Sequence, residues 1–173
     1  MVVYPISNGD KVEKYHVGIL FDKSTTDTPD YIQLCKATEN TINLNPETED
    51  RDFINMKTKE TLVKSYKPSL SNPLTLVKGD ADYEYFWPKF YKLPTGASAK
   101  GKMLVVFTNE YTESGSGESA TVTYDAWLCD TTFIMQTLDP VNSQLTFDTN
   151  INNWVEGTVT IDSDGKPTFT KAA

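Results

Sequence analysis

Tyr15 to Phe21, "YHVGILF", places Tyr15, Val17, Ile19 and Phe21 at alternate positions, with His16, Gly18 and Leu20 between them. Period-two alternation predicts a strand buried on one face and partly on the other. The polar run "DKSTTDTPD" reads as a loop. "YIQLCKATENTINL" reads as a strand region that loses its pattern as it enters the acidic stretch "NPETEDRDF" from Asn45 to Phe53. Glu60 to Tyr66 is a Thr- and Val-rich segment in which neither face is apolar enough for a closed core, and Pro68 and Pro73 are expected to end it.

The period changes in "GDADYEYFWPKFYKL". Tyr83, Phe86, Trp87, Phe90 and Tyr91 fall at i, i+3, i+4, i+7 and i+8, the spacing of one helix face. Asp80 or Asp82 is placed to cap the start. Pro88 costs about 3 kcal/mol inside a helix, so the regular turns are expected to begin near Trp87, with Pro88 at the first helical position. That helix face is expected to be core. "GKMLVVFTNEY" and "SATVTYDAWLCDTTFIMQ" then read as strands joined by the tip "TESGSGE". "LTFDTNIN", "EGTVTID" and "KPTFTK" follow as further strands. At roughly 3.3 Å per residue, ten-residue strands reach about 33 Å, more than a compact small sandwich needs, so hairpins are expected to project.

The whole pattern predicts a mainly β fold with one helix packed against a sheet. The 173 residues suit one domain, 1–173, with an N-terminal arm at 1–14. The longest apolar runs are far short of the roughly 20 residues of a membrane span, so no membrane partner is expected. "MVVYPISNGDK" has no secretory-signal pattern. Two cysteines, Cys35 and Cys129, permit one disulfide, but nothing else suggests an oxidising compartment.

A net charge of −8 argues against binding nucleic acid through phosphates. His16 is the one histidine, in an apolar context, and reads as a packed residue. No cysteine and histidine grouping has zinc spacing, and neither Asp50/Asp52 nor Asp162/Asp164/Gly165 continues into a calcium loop. "SGSGES" lacks the Lys-Ser/Thr of a phosphate loop. No metal, cofactor or catalytic residue is therefore assigned. With 24 acidic residues, carboxylate pairs alone do not point to a glycosidase.

One resemblance covers most of the chain. The acidic "PETED" precedes Phe53. "VKSYKPSL" follows, then "KGDADYEYF" leading to the aromatic helix and "PTGASAKGKMLVVF", and finally "NINNWVEGTVTIDSDGKPTFT". In this order they resemble the tail tube proteins of long-tailed (siphovirus-like) bacteriophages of Gram-positive hosts. The resemblance implies a β-sandwich or barrel with one flanking helix and long hairpins for ring assembly, in a structural virion protein assembled in the bacterial cytoplasm. Six copies would form a ring by edge-to-edge strand pairing, and rings would stack into a conduit for double-stranded DNA. Tape-measure and tail terminator or baseplate proteins would be partners, and DNA would pass without specific binding. On that reading Glu47, Glu49, Asp50 and Asp52, with Glu60 and Lys64 as further candidates, are expected near the lumen or the contact between rings. The alternative is a β-sandwich binding module that recognises carbohydrate or a cell surface through Trp87, Trp127 or Trp154. A hydrolase using clustered carboxylates is a third reading.

Overall fold

The computed structural model describes residues 6, 9–24, 26, 28–55, 57–114, 121–162 and 164–172. Among these residues ten strands and one α-helix, besides two short 3-10 turns, follow in the order β1 (Val17–Asp22), β2 (Tyr31–Gln33), β3 (Thr41–Asn43), β4 (Pro46–Arg51), β5 (Glu60–Tyr66), β6 (Ser69–Thr75), α1 (Ala81–Lys92), β7 (Lys100–Ser114), β8 (Thr121–Asp139), β9 (Gln144–Ile161) and β10 (Pro167–Lys171). The mainly β, one-helix architecture expected from the pattern is present. Eight strands form one antiparallel sheet in the order β2-β1-β7-β8-β9-β6-β3, with β10 also on β9. Among the described residues the other two, β4 and β5, pair only with each other in a separate sheet.

Strands β7, β8 and β9 are long because they serve different neighbours along their length. The start of β9 pairs with β6, from Gln144 to Asn150, and its end pairs with β10, from Gly157 to Ile161. Register shifts in the β8–β9 ladder at Asp130/Thr131 and Met135/Thr137 let one strand bend between those two surroundings. The runs "LTFDTNIN" and "EGTVTID" are thus one strand rather than two.

Alternation sends side chains to two cores, one on each face of the central strands. Ile19, Phe21, Met103, Val105, Cys129 and Phe133 join Phe147, Leu70, Leu74 and Phe86 in the larger cluster. Leu20, Leu104, Val106, Ala126 and Val159 form the smaller one, with Tyr31 and Phe169 against it. Gly157 lies on this second face because a Cβ there would sit 2.2 Å from the carbonyl oxygen of Thr170 and 2.6 Å from the Phe169 ring. Only glycine lets β10 approach β9 so closely.

Pro73 does not end a strand, contrary to the expectation above. It lies inside β6, opposite Thr146 of β9. Its carbonyl accepts from the Thr38 N–H at 3.0 Å. In an antiparallel strand the N and C=O of one residue point the same way, so the proline nitrogen faces Thr38 and the β9 ladder loses no donor.

The helix also differs from expectation. It starts at Ala81 and runs through Pro88, with Asp80 at the N-cap but no side-chain capping bond. Pro88 is on the exposed side, so only the backbone bond to the Glu84 carbonyl is forfeited. Pro88→Ala is expected to raise the unfolding free energy by about 2 kcal/mol, the cost of an interior proline of about 3 less roughly 1 for unfolded-chain entropy. Denaturant titration of the two proteins measures it. Leu93 ends the helix in the left-handed region, φ 45°, with its N–H on the Phe90 carbonyl.

Of the predicted helix face, Phe86 is fully buried, and Tyr83, Trp87 and Phe90 are half-buried. Tyr91 is not core: it is 79% exposed. Tyr85 takes the inward place instead. Its hydroxyl donates to the Asp22 carbonyl at 3.1 Å, and burial pushes that phenol well above its ordinary range. A helix starting six residues before Trp87 rotates the buried stripe toward Asp82, Tyr85, Phe86 and Lys89. Lys89 lies over the Tyr85 ring at 4.6 Å and the Phe133 ring at 5.1 Å, and its ammonium is pushed down by desolvation.

Two further expectations concern single residues. His16 is buried, in a short 3-10 turn at Lys14–His16 rather than in the strand. Its Nδ1 accepts the Glu13 N–H at 2.9 Å. The turn swings Tyr15 away from the β1 face, and it is 43% exposed. Cys35 and Cys129 form no disulfide: both are free, the first exposed and the second buried. Burial pushes the Cys129 thiol up to about 12, which keeps it protonated and unreactive at neutral pH.

Candidate assembly surface

The acidic stretch forms one arm of the detached hairpin. Glu47, Glu49 and Asp50 lie on β4, Asp52 just beyond it, and Glu60 and Lys64 on β5. Structure therefore brings all six candidate residues into one two-stranded unit. Pairing runs from Pro46↔Tyr66 to Arg51↔Glu60, with a bulge between Glu47 and Thr48. At its base the Lys67 N–H donates to the carbonyls of Leu44 and Asn45, both at 3.2 Å. Asn45 itself has φ 44°, a left-handed turn that asparagine tolerates better than most residues. Its side-chain amide donates to Lys67 O and Ser69 Oγ, both at 3.0 Å. These bonds fix where the hairpin leaves the main sheet.

The acids are answered across the strands. Glu47 meets the Lys67 ammonium at 3.1 Å and accepts from Ser65 Oγ at 3.0 Å. Those two contacts hold its carboxyl below the ordinary range, the Lys67 hydrogen bond most. Glu49 pairs with Lys64 and with Arg51, the latter at 3.7 Å. Asp50 accepts from Thr61 Oγ1 at 2.8 Å, and Asp52 lies 3.8 Å from Lys59. Over residues 45–67 the five carboxylates Glu47, Glu49, Asp50, Asp52 and Glu60 meet the five cations Arg51, Lys57, Lys59, Lys64 and Lys67. The segment has no net formal charge. The whole −8 lies outside it, so the run is not the bare negative patch that its first nine residues suggest.

Such exposed ion pairs are individually worth about 0–1 kcal/mol. They do not explain why the hairpin holds together. An isolated two-stranded hairpin is marginal in water, and this one buries neither face. Val63 and Tyr66 are about half exposed, as are Phe53 and Leu44, and Ile54 at the tip is wholly exposed. The charged pattern was legible in the sequence. The exposure of Val63 and Tyr66 agrees with the expectation that β5 has no core to face, whereas that of Phe53 and Ile54 follows from the separation of this hairpin from the main sheet.

The other candidates for chemistry resolve differently. Trp127 and Trp154 are 6.2 Å apart and tilted, with Phe107 edge-on to Trp127 at 5.0 Å, and all three pack against the larger core. Trp87 stacks on Tyr83 at 5.4 Å. Asp162 accepts from the Asp164 and Lys166 N–H groups at 3.0 and 2.8 Å, which closes a tight turn. Among the described residues no group of three or more His, Cys, Asp or Glu is placed to hold a metal ion, and no helix is long and apolar enough to cross a membrane. The tip "TESGSGE" lies largely outside the described residues.

No family model matches the chain, and no curated protein matches it. Among solved structures, the sixfold-symmetrised baseplate of the anti-feeding prophage matches over 90% of this chain and 91% of that one, with 13% identity and a TM-score of 0.36. An overlap that loose fixes no residue correspondence.

Proposed function

We propose that this chain is a structural subunit that forms hexameric rings, stacked as a phage-type tail tube that conducts double-stranded DNA. The observation that carries the reading is the detached β4–β5 hairpin. Among the described residues it is a two-stranded sheet with both faces and both outer edges open, bearing exposed Phe53, Ile54, Val63 and Tyr66. A monomer gains nothing from such an element and risks aggregation by it. A subunit that assembles uses it. The ordered sequence resemblance to tail tube proteins supplies the identity of the assembly, with tape-measure and terminator or baseplate proteins as partners. The charge distribution suits a conduit. The −8 lies outside the hairpin; wherever that surface lined a channel it would repel phosphates at short range, screened beyond a Debye length of about 8 Å. DNA would pass without being gripped.

The test uses the hairpin's closed base. The Lys67 bonds to Leu44 and Asn45 mean that residues 46–66 can be replaced by a short Gly-Ser link without pulling on β3 or β6. By electron microscopy the native chain is expected to give rings with a central channel. The excised chain is expected to keep its strand-rich circular dichroism but stay monomeric. Rings from the excised chain, or a native chain that remains monomeric under every assembly condition, would sink the proposal.

A further inference from the structure

The two arms of the hairpin carry opposite charge; on β5 itself Glu60 offsets Lys64, and the positive excess lies in the flanking Lys57, Lys59 and Lys67. β4 with Asp52 holds Glu47, Glu49, Asp50 and Asp52 against Arg51 alone, whereas β5 and its flanks hold Lys57, Lys59, Lys64 and Lys67 against Glu60 alone. Among the described residues each strand has only the other as a ladder partner, so each presents one free edge. The bridges Glu47–Lys67, Glu49–Lys64 and Asp52–Lys59 leave every one of these side chains between 39% and 74% exposed. Each charge is therefore open to a second partner across the free edge.

Two copies can meet at these edges in three ways. β4 against β4 sets acids opposite acids, and β5 against β5 brings together two arms whose flanking Lys57, Lys59 and Lys67 leave each net positive. Like charges directly opposed destabilise a strand pair. Both of these pairings are two-fold and closed. The third, β5 of one copy against β4 of the next, sets lysines opposite acids. It is also the head-to-tail pairing, the kind that closes into a ring or runs on. We infer that copies of this chain join head to tail through β5 and β4, and that the segregation of charge between the two strands suppresses the two-fold dimers that the same edges would otherwise allow. The sheet that results alternates acidic and basic strands around the assembly. This inference rests on the ring reading above and adds which edges meet and what sets their polarity.

The experiment exchanges charge within each bridge: Glu47→Lys with Lys67→Glu, Glu49→Lys with Lys64→Glu, and Asp52→Lys with Lys59→Glu. The three bridges inside the hairpin survive, as does the net charge. The exchanged chain should melt with the native one and form rings by itself. Mixed with native chain, however, each native-to-exchanged junction brings like charges together at three positions. Such junctions should be about tenfold rarer than like-to-like ones. Isotope-labelled exchanged chain, co-assembled with native chain and read by native mass spectrometry, measures the distribution. Rings of one type or the other support the inference. A random mixture overturns it and leaves the ring reading standing, since copies then meet elsewhere. An exchanged chain that melts normally but forms no ring also overturns it. Absence of rings from the native chain overturns both.

Discussion

Phe86→Ala is expected to cost about 3–5 kcal/mol of unfolding free energy, the range for truncating a buried phenylalanine. The reason lies in what surrounds the ring. Phe86 is fully buried and is the one fully buried aromatic that the helix contributes. It stacks on Phe147 at 4.2 Å, meets Phe21 edge-on at 5.2 Å and Phe133 at 6.1 Å. Those three rings come from β9, β1 and β8, so a cavity here would loosen the helix from three strands at once. Sheet residues held in a hydrogen-bonded ladder cannot collapse into the space, which places the loss toward the upper end. Phe86→Leu retains part of the volume and should lose less. Tyr91→Ala is the control: at 79% exposure it should change stability by no more than about 0.5 kcal/mol. Guanidinium titrations of the three variants decide it. A Phe86→Ala protein as stable as the native one would mean that the helix is not seated as described.

Asp82→Ala is expected to cost about 2–4 kcal/mol, although it removes an acidic residue from an acidic chain. Asp82 is 3% exposed, and its Oδ2 accepts from the backbone N–H of Cys35 at 3.0 Å and of Lys36 at 2.9 Å. The carboxylate ties the first turn of the helix to the segment between β2 and β3. Its loss strands two amide donors in a part-buried site. Each unsatisfied donor costs about 1–3 kcal/mol. Asp82→Asn keeps a carbonyl oxygen in place and should recover much of the loss. Asp80→Ala, by contrast, removes only a 3.8 Å surface pair with Lys36 and no capping bond, and should be nearly silent. Hydrogen exchange at the Cys35 and Lys36 amides would show the effect locally, with faster exchange in Asp82→Ala and little change in Asp80→Ala.

These two residues also mark how far the sequence could be read. Phe86 was visible as part of an aromatic stripe of helical period. Asp82 was visible only as a possible cap, a local role that any acid before a helix suggests. Its actual partners lie 46 and 47 positions away, and no local pattern encodes them. Tyr91 and Tyr85 exchanged places for a related reason. Periodicity gives the spacing of a stripe but not its phase, and the phase followed from where the helix begins. A proline at position 88 argued for a late start; packing on the sheet held the helix from Ala81 regardless. Pro73 misled in the same way, because whether a proline breaks a strand depends on which side its nitrogen faces.

The polar β4 and the proline-bearing β6 were not legible as strands. Helical spacing marked the one aromatic helix, and alternation of apolar and polar positions marked the other long strands and the two-faced character of β1, because a side chain's face follows from backbone geometry alone. It also determined that β5 had no core to face. The charges of "NPETEDRDF" were fixed by the sequence as well, but not their meaning. Only pairing with β5 placed Lys59, Lys64 and Lys67 beside Asp52, Glu49 and Glu47 and brought the segment to neutrality. Only the tertiary structure set this hairpin apart from the eight-stranded sheet, with both faces and both edges open among the described residues. Strand partners are chosen by long-range competition for buried surface and backbone bonds, and that competition is settled when the whole chain folds.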